Sequence, residues 1–297
     1  VYKRQRIIQS GFFFLLGTYV LFNFYKDFSF EEFQAGIEQS KLHWILLATV
    51  VHLVNHFFRA VRWKALMGKS GRSIGMLYYV VAEMTGFFTS LFIPRFGEWM
   101  RCSTLKRMSG LPIKVSFPTV IAEKSIDILV FLGIFFVVFL RSFLFDGGAE
   151  QKVLLLFFEG IVSLLTFSLK HMMMLLGGLV IGSGVLLYVY YRFRDYMQYY
   201  IDVVVQVIYD TKDALRKAPM TTWLPPLFIW IAYFLVEYIS CFALQATSGL
   251  SLSAVLCVFV MINFGIAIPI PGNIGAYHML MYGTLKMFDV PHESAII

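Results

Sequence analysis

An apolar segment at residues 74–93 ends at a proline and runs directly into the charged stretch 94–101, which reads PRFGEWMR. In a bilayer every backbone polar group needs a hydrogen-bond partner, and a charge buried in the apolar interior is energetically costly. A broken apolar segment beside charges therefore occurs mainly where it lines a cavity. A second apolar run, residues 252–268, breaks in the same way at residues 269–275, PIPGNIG. Two interrupted segments in corresponding positions predict a transporter-like site.

The composition is that of a membrane protein. Hydrophobic residues make up 59% of the 297 positions, charged residues only 14%, and the mean hydropathy is +0.72. Soluble domains carry about a quarter charged residues, so we predict an all-α, polytopic integral membrane protein. The net charge is +7, but the basic residues lie in short loops between apolar segments, which indicates membrane topology and not nucleic-acid binding. Three cysteines without paired spacing predict neither disulfides nor a metal framework.

The charges around the first two apolar runs predict their orientation. Lys3, Arg4 and Arg6 precede a first span at residues 7–25, which places the N-terminus in the cytoplasm. The second span, residues 43–62, is flanked by Trp44 and Trp63. These residues are about 28 Å apart along a helix, which matches the apolar thickness of a bilayer, so we interpret both as interfacial anchors.

The third apolar run has basic loops on both sides. The loops at residues 62–73 and 95–114 are rich in Lys and Arg, and both therefore favour the cytoplasm. A segment that starts and finishes on one side is re-entrant, or pairs with a second half-helix. We interpret residues 112–120 as that return or as a short interfacial piece, and residues 126–140 as an outward span.

The rest of the chain is predicted as a second half. We expect a partial or interfacial segment at residues 153–169 and an amphipathic helix on the cytoplasmic surface at residues 193–217, because its apolar positions recur at helical spacing. Full spans are predicted at residues 172–191 and 223–246.

The fold would be a single domain over residues 1–297, with halves of about 1–192 and 218–297. It would contain six to eight membrane segments, two broken or re-entrant helices and an inverted repeat. The sequence starts without methionine and stops inside an apolar run, so we expect a fragment at both ends.

A polar face runs along the second span. His52, Asn55, His56 and Arg59 share one side of a helix. The histidine pair has metal-ligand spacing, but the glutamate of a zinc-protease motif is absent, so no metal site is expected. Two interpretations stay open: a polar face packed against other helices, or Arg59 with Arg62 contacting an anionic lipid headgroup.

Several acidic residues lie in or beside apolar segments, where each carboxylate is energetically costly unless it is paired with a cation or exposed to water. Glu123 and Asp127 flank Lys124, which indicates an interfacial, solvated position. Glu83 and Glu237 lie deeper, and for these two a functional role is favoured over a structural ion pair. An arginine from residues 94–101 is the expected partner for one of them.

The two breaks supply the candidate headgroup sites. Arg95, Glu98 and Arg101 follow one another at a spacing of three residues, so Glu98 would hold one guanidinium while the other binds phosphate. The second break offers backbone donors near Pro271, Gly272 and Asn273. We find no catalytic set, because the nucleophile elbow, the phosphate-binding lysine loop and the paired aspartates of a transferase are all missing. No cofactor is expected.

Four motifs together resemble a known family. Residues 59–66 (RAVRWKAL), 94–101, 123–127 (EKSID) and 269–275 are similar to the membrane domain of lysylphosphatidylglycerol synthase/flippase proteins, which also occurs as a stand-alone protein. The resemblance implies a prokaryotic cell-membrane protein that moves a phospholipid, such as aminoacylated phosphatidylglycerol, between leaflets. The aminoacyltransferase domain is not in this sequence, so lipid synthesis is not implied. The glutamate usual after the last motif is replaced by Tyr277 and His278.

The leading prediction is therefore a lipid translocase whose partner is a membrane phospholipid. Two alternatives stay open: a membrane-embedded transferase acting on a polyprenyl-phosphate or glycolipid, and a partner subunit for a separately encoded lipid-modifying enzyme. The lipid, the direction of movement, the energy source and the oligomeric state are not specified by the sequence.

Overall fold

The structure, a computed structural model, describes residues 30–93, 96–144, 148, 151–156, 159, 194–217, 224–267, 276–291 and 294–295. All regular structure in these ranges is helical, which confirms the predicted all-α class. The helices are α1 (Phe30–Gln39), α2 (Leu42–Leu66), α3 (Met76–Phe92), α4 (Gly97–Ser109), α5 (Ile113–Leu144), α6 (Arg194–Lys217), α7 (Leu224–Cys241), α8 (Leu252–Ala267) and α9 (Ala276–Met287).

Three described helices are long and apolar enough to cross a bilayer. They are α2 with 25 residues, the 30-residue stretch Ile113–Ser142 of α5, and α7 with 18 residues. At 1.5 Å per residue even the shortest reaches about 27 Å, close to the apolar thickness of a membrane. Two further apolar helices, α3 and α8, are shorter. These lengths confirm a polytopic membrane protein, while the predicted spans at residues 7–25 and 172–191 lie outside the described residues.

The first predicted break separates two helices that pack side by side. α3 ends at Phe92, α4 begins at Gly97, and the two come so close that a side chain at Gly97 would collide with the Gly86 carbonyl and the Ser90 hydroxyl. α4 ends at Gly110, which adopts φ 77° and donates its N–H to the Lys106 carbonyl over 2.9 Å. The pair is thus a tight helical hairpin, and its re-entrant orientation in the membrane stays a prediction.

One predicted segment is not separate. Residues 112–120 were expected as a return segment or a short interfacial piece before a span at residues 126–140, yet residues from Ile113 onward form one helix, α5, which continues unbroken to Leu144 with Pro118 inside it. The Pro118 carbonyl accepts a hydrogen bond of 3.3 Å from Thr211 on α6, which packs along α5.

The remaining helices form two packed pairs. α2 and α7 lie antiparallel, because Phe58 stacks on Phe228 near one end of the pair and Trp44 contacts Phe242 near the other. α8 packs on α9 through a separate apolar cluster that includes Val258, Ile262 and Leu285. The second predicted break, residues 269–275, lies outside the described residues between these two helices.

The helix predicted between the two halves is present as α6. It spans Arg194–Lys217, within one residue of the predicted start, and leaves Val205, Ile208 and Tyr209 exposed. Its position at the cytoplasmic surface, and the division into halves of about 1–192 and 218–297, stay predictions.

Candidate functional site

Four helices converge on a group of charged side chains that we call the ion cluster. α2, α3, α4 and α5 meet around a shared apolar core that contains Trp63, Tyr79, Cys102 and Leu105. Above this core they bring together residues from three of the four motifs and Glu83 from the apolar run at residues 74–93. The ion cluster consists of Arg59, Arg62, Glu83, Arg101, Glu123 and Asp127.

Arg101 is the centre of the ion cluster. Its Nη1 donates to Glu83 Oε2 over 2.6 Å, and its Nη2 forms a short ion pair with Glu123 Oε2. The guanidinium also lies over the Trp63 ring, 4.3 Å from the ring centroid. Arg101, Glu83, Glu123 and Trp63 are all buried. The helix α4 therefore contributes one buried cation that links α3 to α5.

Arg62 binds both of the acidic side chains that α5 contributes to the ion cluster. It donates from both terminal nitrogens to Asp127, over 2.5 and 2.9 Å, and lies 2.9 Å from Glu123 Oε1. This two-pronged contact suits the planar guanidinium, which a lysine could not replace. Arg62 is fully buried, so its role is to hold α2 on α5.

Arg59 occupies the edge of the ion cluster. Its Nη2 lies 2.8 Å from Glu83 Oε1, and its Nη1 donates to the Tyr233 hydroxyl on α7 over 3.1 Å. Unlike Arg62 and Arg101, its side chain is 17% exposed. Arg59 therefore connects the ion cluster both to α7 and to the surroundings.

The ion cluster is electrically neutral, with three guanidinium groups against three carboxylates. Neutrality is what makes its burial tolerable, because an isolated buried charge would cost several kcal/mol. Two expectations are corrected by this arrangement. Glu123 is not interfacial and solvated but fully buried, and Arg101 has no fork left for phosphate because both of its terminal nitrogens already hold carboxylates.

Trp63 is also placed differently from the prediction. It was interpreted as an interfacial anchor, yet it is fully buried, and its Nε1 donates to the Thr119 hydroxyl over 3.0 Å. Tyr79 meets its ring edge-on at 5.3 Å. Trp63 thus forms the floor of the ion cluster.

A cleft of about 140 Å³ opens beside the ion cluster. It is lined by charged groups and one ring, and the lining includes Arg59, Glu83, Phe87, Glu98, Arg101 and Lys124. Its accessible rim is formed by Arg59, Glu98 and Lys124, whose side chains are 17%, 29% and 43% exposed. We call these three residues the rim.

At the rim, Lys124 Nζ lies 2.8 Å from Glu98 Oε1, and the Arg101 Nε lies 3.8 Å from Glu98 Oε2. Burial alone would raise the pKa of Glu98, but the neighbouring Lys124 and Arg101 charges outweigh it and hold that pKa below its usual value. Glu98 is therefore an anion at neutral pH. Among the described residues, its Oε2 has no hydrogen-bond donor, so the cleft offers an unused acceptor beside two cations.

The polar face of α2 continues inward from the cleft. The His52 and His56 rings meet edge-on at 5.0 Å, and His56 lies 4.5 Å from the Phe87 ring. Its Nδ1 is 3.9 Å from Glu83 Oε1. In the described part of the chain, no three His, Cys, Asp or Glu side chains group as metal ligands.

Glu237 lies apart from the ion cluster. It is on α7 and accepts a hydrogen bond from the Tyr277 hydroxyl of α9, at 3.3 and 3.4 Å from its two oxygens. The other predicted headgroup residues, Arg95, Pro271, Gly272 and Asn273, lie outside the described residues, so their roles stay predictions.

Two contributors were not selected from the sequence. Lys124 was noted only as a solvating neighbour of Glu123, and Tyr233 was not noted at all. For Lys124 a signal existed: adjacent helix positions differ by about 100°, so a residue next to a buried acid points elsewhere, here toward the rim. No such sequence signal existed for Tyr233, because its contact with Arg59 depends on how α7 packs against α2.

The family described as lysylphosphatidylglycerol synthase TM region matches residues 7–297. The chain therefore belongs to this family, which confirms the resemblance seen in its four motifs and supports a lipid-related function in a membrane. No curated protein and no solved structure matches the chain.

Proposed function

We propose that this member of the lysylphosphatidylglycerol synthase membrane-region family binds the phosphate-bearing headgroup of an anionic or aminoacylated phospholipid at the rim and moves that lipid between leaflets. The observation that carries the proposal is the contrast between the ion cluster and the rim. Arg62 and Arg101 are buried among carboxylates, whereas Arg59 and Lys124, each paired with a carboxylate, are partly exposed at a cleft large enough for a phosphate group.

The rim has the chemistry that such a headgroup requires. A phosphate oxygen entering the cleft would accept hydrogen bonds from Lys124 and from Arg59, two cations at once. Glu98 Oε2 would accept from a hydroxyl or ammonium group next to that phosphate. A headgroup with both an anionic and a donor group therefore matches this rim better than a simple anion.

Lys124 cannot serve phosphate fully while it holds Glu98. In this structure the two form an ion pair across the rim, so binding requires Lys124 to exchange one acceptor for another. This exchange is inexpensive because both side chains are partly exposed and such pairs contribute only about 1 kcal/mol or less. Glu98 thus competes with the headgroup for Lys124, and Lys124 assists headgroup binding once it is released.

Two substitutions should change lipid affinity in opposite directions. We expect Lys124→Gln to weaken binding of phosphatidylglycerol about fivefold, the equivalent of one exposed ionic contact of about 1 kcal/mol. Glu98→Gln releases Lys124 from its partner and should tighten binding of the same lipid. Binding is measured by titrating short-chain phosphatidylglycerol into the detergent-purified protein, with Lys106→Gln, an exposed lysine on α4, as the matched control.

Movement is measured separately, after reconstitution into vesicles with a fluorescent headgroup-labelled phosphatidylglycerol. The complete chain should accelerate exchange between leaflets above empty vesicles, and Lys124→Gln should slow it. Equal affinity in all three variants would remove the rim as the headgroup site. Binding without any exchange would favour a lipid-binding partner subunit over a translocase.

A further inference from the structure

Glu237 differs from the other carboxylates of α3, α5 and α7. Glu83 and Glu123 each lie within 3 Å of two guanidinium groups, and both belong to the ion cluster. Glu237 instead contacts a hydroxyl, that of Tyr277, and within the described residues no basic side chain lies at ion-pair distance from it. Arginine thus neutralises the carboxylates of α3 and α5, whereas Glu237 on α7 has a neutral donor.

The surroundings of Glu237 disfavour a permanent charge. It lies in α7, one of the helices apolar and long enough to span the bilayer, and its side chain is only partly covered by protein. Acidic side chains in such positions are costly as anions and typically mark proton or ion pathways. A carboxyl group there is stable as the neutral acid and can become an anion only when water or a new partner reaches it.

Tyr277 can serve both protonation states. Its hydroxyl is nearly equidistant from the two carboxylate oxygens, so it can donate to the anion at either oxygen. When Glu237 is protonated, the same hydroxyl can accept the acid proton and turn its own hydrogen elsewhere. The pair therefore needs no rearrangement of the helices to bind or release one proton.

The pair and the rim lie toward opposite ends of the α2–α7 pair. α2 and α7 are antiparallel, Arg59 lies in the last two turns of α2, and Glu237 lies about one turn before the end of α7, about 6 Å along its axis. The end of α7 adjoins the start of α2, where the Lys41 N–H donates to the Ala243 carbonyl over 2.8 Å. Tyr277 also follows the 269–275 motif by two residues in the sequence, which places the pair next to the second predicted break.

Among the described residues, no basic side chain forms an ion pair with Glu237. α2 presents His52 to the Tyr233 ring, one turn before Glu237, and Arg59 pairs with Glu83. α5 contacts α7 through Phe131 on Trp230, two rings without an ionisable group. The other titratable groups on α7 and on α2, α5, α8 and α9 are Tyr233, Tyr238, Cys241, His43, His56, Arg62, Lys64, Lys114, Glu123, Lys124, Asp127, Arg141, Cys257, His278, Tyr282 and Lys286.

We infer that Glu237 and Tyr277 form a proton-binding site within the membrane, loaded from the side opposite the rim. The balance is simple: the Glu237 carboxylate takes one proton from a hydronium ion in the surrounding water and becomes a carboxylic acid, and it returns that proton to water when it ionises. Resting on the proposed function, this site would couple lipid movement to a proton gradient, since the headgroup site and the proton site lie toward opposite ends of the α2–α7 pair.

Infrared spectroscopy tests proton binding without requiring lipid transport. The full chain in lipid is titrated while the carbonyl band of protonated carboxylic acids is recorded. We expect a band that titrates in the wild type and is lost in Glu237→Gln but not in Glu38→Gln, an exposed acid that serves as the control. Tyr277→Phe removes the donor to the anion and should move the titration midpoint to higher pH by about one unit, which Tyr209→Phe should not do.

The transport arm uses vesicles with an imposed pH difference. In the wild type, the rate at which labelled phosphatidylglycerol exchanges between leaflets should depend on that pH difference. In Glu237→Gln, the exchange rate should be the same with and without it. An unchanged titrating band in Glu237→Gln, or a band that responds to sodium at constant pH, overturns the proton site. A titrating band together with wild-type exchange that does not depend on the pH difference overturns the coupling. No exchange in the wild type overturns both the proposed function and the coupling, but it leaves the proton site standing.

Discussion

The ion cluster makes a quantitative prediction about Arg101. Arg101→Met keeps a long, helix-compatible side chain but removes the guanidinium between Glu83 and Glu123. Removing one partner of a buried pair typically costs about 3–5 kcal/mol. Each carboxylate retains one guanidinium, Arg59 for Glu83 and Arg62 for Glu123, so the lower part of that range applies. The lost contact with the Trp63 ring adds to it, and we expect a total of about 3–4 kcal/mol.

A second substitution separates charge imbalance from lost packing. Arg101→Met leaves two guanidinium groups against three carboxylates, a buried excess of one negative charge. Adding Glu123→Gln restores neutrality while preserving shape, with Glu83 on Arg59 and Asp127 on Arg62. The double variant should therefore be more stable than the sum of the single losses predicts, by about 2 kcal/mol.

The assay is equilibrium unfolding from mild-detergent micelles by added SDS, followed through tryptophan fluorescence, because Trp63 lies directly under Arg101. Arg107→Met is the control: it removes an exposed arginine from the same helix and should change stability by less than about 0.5 kcal/mol. The reasoning is refuted if Arg101→Met behaves like Arg107→Met. It also fails if the losses in the double variant are simply additive, because the buried charges would then not be coupled.

Two further predictions concern the α3–α4 hairpin. Gly97→Ala should destabilise the protein by about 1–3 kcal/mol in the same assay, because its methyl group would enter the Gly86 carbonyl, whereas Gly133→Ala on α5 meets nothing within 4 Å and should be neutral or slightly stabilising. Single cysteines at Lys69 and Lys106 should react with an impermeant thiol reagent from the same side of the membrane. Labelling from opposite sides would show that α3 crosses fully and would exclude the re-entrant topology.

The sequence predicted the helices of this protein better than their ends. Apolar length and flanking charge located α2, α7 and α8 within a few residues, because the bilayer imposes both. Residues 112–120 were separated from the span at residues 126–140 because the basic loops on both sides of residues 74–93 called for a return segment, whereas α5 runs through both regions as one helix.

The members of the ion cluster could be selected from the sequence, and one pairing was predicted and is confirmed, that of an arginine of residues 94–101 with Glu83. The other pairings could not be predicted. Arg59 and Arg62 lie three residues apart, and Glu123 and Asp127 four, so each pair shares a helix face. Which face meets which depends on packing between helices that are far apart in sequence. Glu123 was thought to be solvated because Lys124 follows it, yet one step along the helix separates a buried acid from a rim lysine.

The ion cluster and the rim divide two tasks that one set of charges could not perform together. A headgroup site must exchange partners quickly, and a buried ion pair does so slowly because breaking it leaves a charge without water. In this protein Arg62 and Arg101 satisfy the carboxylates and fix α2 and α4 against α5, so they are unsuited to exchange. That fixed arrangement holds Arg59 and Lys124 at a constant separation across the cleft, and a preorganised pair of cations binds phosphate without first being ordered. Losing the ion cluster should therefore weaken lipid binding although neither of its saturated arginines touches the lipid.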